Sequence, residues 1–416
     1  MTNQKTLDNK LRLLVHSIDQ SQSCTALVLV GAGSRYETLD VNGISHFLEH
    51  MFFKGAKKYK NTKEVSEAID TIGGEFNAFT GKEYAGYYVK VAKEHAEKAL
   101  DVLSDMLLHA KFDPKEIDKE RGVILEEYNM YQDTPMYQIG WDFEKLIFGD
   151  QPIGRDQIGT KKLINSVTQK QFQDYQKQLY TPDNTVIALV GDFENEKAFS
   201  LIEKYFQMPT TKKSLDFKDY KQIPSQQKLH ILKKQTEQAH LVMGFNSLSN
   251  KDPQKWALKL LATALGGNMS SRMFLNVREA KGLCYYIHTD CDMYTDCGTF
   301  ATRAGVDVTR AQDAIDAIKQ QYEQVAQEGI SQAELDKSKS YLKGKMQLKL
   351  EDSESYAHFL ARQSLILNEV QTPDQIKKEI DKVSLNQVNK LAKEIIDLEQ
   401  LYVSVIGPYT QSELKI

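Results

Sequence analysis

Apolar and polar positions along this chain alternate with two different periods, and the switches between them outline the elements. Leu11, Leu13 and Val15 alternate as a strand, and Cys24 to Val30 form a second apolar run after the polar turn Gln20 to Ser23. Gly31 and Gly33 close that run. The stretch Gly43 to Gly55 predicts a short helix between glycines, with Asn42 as its N-cap. A helix over 62–72 and a hairpin of 75–80 with 84–91 are expected next, opened by Gly73 and Gly74. Residues 93–109 read as an amphipathic helix and 114–148 as a longer helical segment interrupted by Pro135. A helix over 168–180, a turn at 181–184 and a strand over 185–191 follow.

That last order returns near the C-terminus. Laid on 383–409, the stretch 167–193 matches Val167 with Val383, Thr168 with Ser384, Gln171 with Gln387 and Leu179 with Ile395, at a constant offset of 216. It also sets Ile187 to Gly191 on Val403 to Gly407. A repeat of half the chain means two copies of one domain, since solenoid units are several-fold shorter. The polar stretch from Pro209 to Pro224 suits a connector, so the expected division is a domain over 1–212, a linker over 213–226 and a homologous domain over 227–416. The second copy opens with strands over 228–234 and 239–246 and a helix over 253–265.

Composition narrows the function classes. With 41% apolar and 26% charged residues, the chain can build more than one core. Its net charge of −4 argues against a nucleic-acid partner, which needs a concentrated basic field. No apolar run approaches a membrane span, and the polar start Met1 to Thr6 leads into no apolar signal core, so a cytoplasmic protein with no membrane partner is expected. The four cysteines have no Cys-x-x-Cys spacing and read as reduced, with a Cys291–Cys297 bridge left open.

Candidate chemistry concentrates on His46-Phe-Leu-Glu49-His50. Two histidines four apart on a helix present both imidazoles to one ion, while Glu49 lies beside that ion as a general base for the attacking water. This order inverts the commoner His-Glu-x-x-His. Phe47, Leu48, Met51 and Phe52 would face the core. Glu116, Glu120, Glu126 and Glu127 could each complete a metal site. Seven residues return to nearly the same helical face, so Glu120 and Glu127 go together, one as ligand and the other orienting it, whereas Glu126 points about 100° away. A strand of the hairpin 75–80 with 84–91 could pair with a polypeptide substrate if it lies at a sheet edge. In the second copy, which has no such histidine motif, Arg278 near a helix end and Tyr285 at a strand start are candidate donors to an oxyanion.

Four stretches in order, Ser45 to Gly55, Gly73 to Thr80, Glu120 to Glu127 and Arg278 to Tyr285, resemble the pitrilysin/insulinase zinc peptidases, most closely the two-domain, mitochondrial processing peptidase-like branch. The resemblance runs through the whole chain. It implies an α/β (α+β) fold of two homologous domains, each a mixed sheet packed against helices, dimerising into a clamshell around a chamber. It implies one Zn²⁺ per chain on His46, His50 and Glu127, with Glu49 as general base and Glu120 as supporting carboxylate. Asn77 and Ala78 would lie on the strand that pairs with the peptide substrate. Arg278 and Tyr285 would contribute to the scissile carbonyl, in a homodimer whose sites are completed in trans. The competing expectation is a non-catalytic peptide-binding or scaffold subunit of the same fold.

Overall fold

The computed structural model describes residues 2–223 and 227–416, and its eleven strands form two sheets. In the first part of the chain these are β1 (Thr2–Thr6), β2 (Arg12–Ser17), β3 (Ser23–Val30), β4 (Glu75–Thr80), β5 (Ala85–Ala92) and β6 (Thr185–Gly191). The second part holds β7 (Leu229–Lys233), β8 (Gln238–Ser247), β9 (Cys284–Met293), β10 (Gly298–Asp307) and β11 (Tyr402–Gly407). The sheet orders are β1-β2-β6-β3-β5-β4 and β7-β11-β8-β10-β9.

The 216-residue repeat is visible in both sheets. β6 lies parallel to β2 and antiparallel to β3, and β11 lies parallel to β7 and antiparallel to β8. Each is preceded by a helix whose N-terminus closes with the same capping box, Thr168 with Gln171 before Gln169–Leu179 and Ser384 with Gln387 before Leu385–Ile395. Both sheets are therefore mixed and packed against helices. β2 and β3, consecutive in the chain, do not pair with each other, because β6 arrives between them. β1 has no counterpart in the periodicity of the sequence: it is a polar edge strand held by backbone pairing to β2, with its last three residues exposed.

The chain forms two compact units, and they do not follow chain order. One comprises residues up to Tyr128, Arg155–Lys218 and Gln347–Thr372; the other comprises Asn129–Gly154, Asp219–Met346 and Pro373–Ile416. The expected division at 213–226, whose last three residues lie outside the described ones, is thus joined by two exchanges. From the C-terminal half, the helix Ser353–Arg362 packs Tyr356, Ala357, Leu360 and Ala361 onto Leu14, Leu27, Leu29, Val186, Ala188 and Val190 of the first sheet. From the N-terminal half, the helix Pro135–Phe148 packs Ile139, Phe143 and Ile147 onto Val242, Ala301, Tyr402 and Ile406 of the second. Neither sheet face can be covered by its own half alone. This is also why β3 is buried from Cys24 to Val30: the helix Ala96–Leu108 lies against its other face.

The helix expected after Gly43 spans Ile44–Phe52, but Asn42 is not its cap. Gly43 holds that position with φ 106°, a left-handed conformation, and a Cβ there would meet the backbone of Ile158 and Gly159 at 2.7–2.8 Å. The free N–H groups go instead to Glu37, a buried residue upstream. Its carboxylate accepts from Gly43 N (2.7 Å), Ser45 N (2.8 Å) and Asn42 Nδ2 (2.9 Å). Burial pushes the Glu37 pKa up, against the pull of these donors. All four cysteines are free thiols, so Cys291 and Cys297 are not bridged. Among the described residues no helix is long and apolar enough to cross a membrane.

Two outcomes are expected. Residues 1–212 expressed alone should aggregate or bind a hydrophobic dye, and co-expression with 213–416 should restore a soluble complex on size-exclusion chromatography; a soluble, monomeric 1–212 would show that the exchanged helix is dispensable. Glu37→Ala leaves two backbone donors unpaired and should lower unfolding free energy by about 2 kcal/mol or more in denaturant titrations, since each buried orphan group costs roughly 1–3 kcal/mol.

Candidate metal centre

His46 and His50 stand one turn apart on the helix Ile44–Phe52, with ring centroids 4.8 Å from each other. The opposite side of that helix, through Phe47, Leu48, Met51 and Phe52, is buried in the core, so the imidazoles are turned to the half-exposed side. The helix Pro114–Asp133 supplies the acidic partners. His46 Nε2 lies 3.4 Å from Glu127 Oε1, and His50 Nε2 lies 3.4 Å from Glu127 Oε2. One ligand atom from each of the three residues falls within 4.8 Å of the others, the one such group among the described residues. Donors about 2.0–2.2 Å from a tetrahedral ion are separated by about 3.4 Å, so this donor set fits a single zinc ion with one position left open. His46 Nδ1 is buried with no hydrogen-bond partner, so on that ring it is Nε2 that faces the cluster.

The helical argument for pairing Glu120 with Glu127 holds in the geometry. Glu120 is buried, and its Oε1 accepts from His50 Nδ1 at 2.9 Å, which turns His50 Nε2 toward Glu127. Its second oxygen meets Lys54 Nζ at 2.5 Å. Glu116 is instead taken up by Lys119 at the surface. Glu49 is half-buried beside the histidines and accepts a hydrogen bond from the Thr80 hydroxyl on β4.

Electrostatics separate these acids. Burial works against the charge on Glu127, but hydrogen bonds and charge from His46 and His50 outweigh it and hold the carboxyl far below its usual range. Glu120 is likewise lowered, with burial overcome by His50 and Lys54. Burial dominates at Glu49 and raises it, in spite of Thr80 and the two histidines. For His50, burial opposes the charge, yet Glu120 and Glu127 lift the imidazole to about 9. One carboxyl is thus raised beside two that are lowered.

The remaining expected residues lie elsewhere. Asn77 and Ala78 are on β4, which is an edge strand, and the Ala78 N–H donates to Asn77 Oδ1 at 2.9 Å. Arg278 and Tyr285 belong to the second unit and are brought together: Arg278 Nε donates to the Tyr285 carbonyl at 2.8 Å, and its guanidinium stacks 4.5 Å from the Phe274 ring. The helix expected around Arg278 is a π-helical turn, Phe274–Glu279. Tyr285 itself is 76% exposed. Thr80 and Lys54 escaped the sequence reading, although each carries a signal: Thr80 shares strand parity with Ala78, and Lys54 continues the four-residue spacing of His46 and His50.

Known proteins resemble this chain in sequence and in fold. The sequence model described as "Insulinase (Peptidase family M16)" matches residues 12–152, and the one described as "Peptidase M16 inactive domain" matches residues 166–342. An uncharacterized zinc protease of Bacillus subtilis is 36% identical over 98% of this chain and 98% of its own length. One from Mycobacterium leprae is 33% identical over 98% of this chain and 92% of its own. The crystal structure of a protease from Helicobacter pylori, 23% identical, superposes with a TM-score of 0.92 over 98% of this chain and 99% of its own, which speaks for the fold. Matched by the family's sequence models through most of its length and by relatives from end to end, this chain belongs to peptidase family M16, the insulinase family.

Proposed function

We propose that the chain is a zinc-dependent endopeptidase or oligopeptidase that hydrolyses unfolded peptides or processes precursor polypeptides. The observation that carries this reading is the convergence of His46, His50 and Glu127 on one point with Glu49 beside them. Family membership and the names of the zinc protease relatives support it.

In this reading His46, His50 and Glu127 hold the metal, one per chain, and Glu120 orients His50. Bound zinc supplies Lewis acidity that polarises the scissile carbonyl and lowers the pKa of water. Glu49, raised by burial and steadied by Thr80, takes the proton of the attacking water and returns it to the leaving amine. An extended peptide adds to the free edge of β4 along Asn77 and Ala78, where backbone pairing gives binding tolerant of sequence. Arg278 and Tyr285 act as donors to the developing oxyanion; Tyr285 is exposed, in keeping with a site completed in trans by the second copy of a homodimeric clamshell. A cytoplasmic location belongs to the same reading. The match of residues 166–342 to a domain described as inactive is in keeping with the lack of a histidine motif in that stretch.

Digestion of an unstructured peptide mixture by wild type and Glu49→Gln, read by mass spectrometry with bound metal counted, tests the proposal. Wild type should cleave, and Glu49→Gln should keep its zinc while turnover falls by at least about 10²-fold, the range of general-base catalysis. Absence of both zinc and cleavage in wild type would favour the scaffold subunit. Glu127→Gln should lose zinc occupancy and activity together, and an excess of chelator should abolish wild-type cleavage until zinc is returned; full activity after chelation would exclude the metal mechanism.

A further inference from the structure

We propose that Lys54 is a positioning residue of the metal cluster, holding the Glu120 carboxylate so that its other oxygen faces His50 Nδ1, and thereby setting zinc affinity. The inference rests on the zinc reading above and extends it by one residue.

Three observations carry it. Lys54 Nζ and His50 Nδ1 divide Glu120 between them, Oε2 to one at 2.5 Å and Oε1 to the other at 2.9 Å. A carboxylate gripped at both oxygens is restrained, so the ring of His50 is held with Nδ1 at Glu120 and Nε2 toward Glu127. Second, this is not a solvated ion pair. The Glu120 side chain is 6% exposed and that of Lys54 21%, against 61% and 80% for Glu67 and Lys63 on a nearby helix. Exposed pairs contribute little, whereas removing one partner of a buried pair leaves the other uncompensated.

The third observation is the charge inventory. Glu49, Glu120 and Glu127 gather three carboxyl groups in one small volume, and Lys54, in contact with Glu120, sets a cationic side chain among them. Lys54 follows the end of the helix that carries both histidines, so the same short segment delivers ligands and counter-cation. Its contact with Glu120 ties that segment to the helix Pro114–Asp133.

Zinc dissociation constants measured by chelator competition on the full chain test this, using Lys54→Met, Lys54→Arg, Glu120→Gln and the double variant, with apo melting temperatures recorded alongside. Lys54→Met should weaken zinc binding about tenfold or more, as loss of such outer partners does. Lys54→Arg should recover most of that loss, and in the Glu120→Gln background Lys54→Met should change affinity by less than about twofold, because coupled residues are not additive. Unchanged affinity in Lys54→Met would overturn the inference, as would an equal loss in both backgrounds. A loss that Lys54→Arg does not recover and that follows a fallen apo melting temperature would overturn it too, reassigning Lys54 to folding alone. If wild type binds no zinc at all, the zinc reading itself fails, a result none of the other outcomes resembles.

Discussion

Glu49, Glu120 and Glu127 are all partly withdrawn from water within one unit, and a carboxylate so placed persists only where cations or donors meet it. The arrangement of the site follows from how each requirement is met. Glu127 has the two imidazoles, Glu120 has His50 and Lys54, and Glu49 has the Thr80 hydroxyl. Unequal partners give unequal acidity, so two carboxyls stay ionised while the third is raised. A further buried acid, Glu37, closes the end of the helix on which the histidines ride.

The geometry depends on two helices meeting at their polar faces. On one, the four-residue spacing aligns His46 with His50; on the other, the seven-residue spacing aligns Glu120 with Glu127. The first helix is held by an apolar opposite side, Phe47 and Phe52 against Phe172 and Tyr87, whereas on the second the buried Ile117 and Ile124 lie beside the two glutamates. Phe53 and Phe76 then bring the helix end against β4, the edge strand whose Thr80 reaches Glu49.

The two sheets share one arrangement around β6 and β11, yet neither half of the chain completes its own. A helix from each half covers the sheet of the other, so burial of apolar surface, the main favourable term in folding, needs both halves present. This couples a repeat that carries the histidine motif to one that lacks it, without any shared catalytic residue being required.

Much of this was legible in one dimension. Helix and strand periods, the 216-residue repeat with its matches of Thr168 to Ser384 and Gln171 to Gln387, and the spacings of His46, His50, Glu120 and Glu127 are all local patterns, and local geometry turns them into faces. The sequence by itself therefore determined which residues share a helix face and that a helix–turn–strand order recurs after 216 residues. Tertiary structure alone decided that β6 inserts between β2 and β3, that helices 135–148 and 353–362 each cover the sheet built by the other half of the chain, and that β4 is an edge. It also decided that Glu37, not Asn42, caps the histidine helix, and that Thr80 and Lys54 complete the carboxylates. Such choices are made between segments far apart in the chain, where pairing and burial compare competing partners, and no periodicity within a segment records which partner prevails.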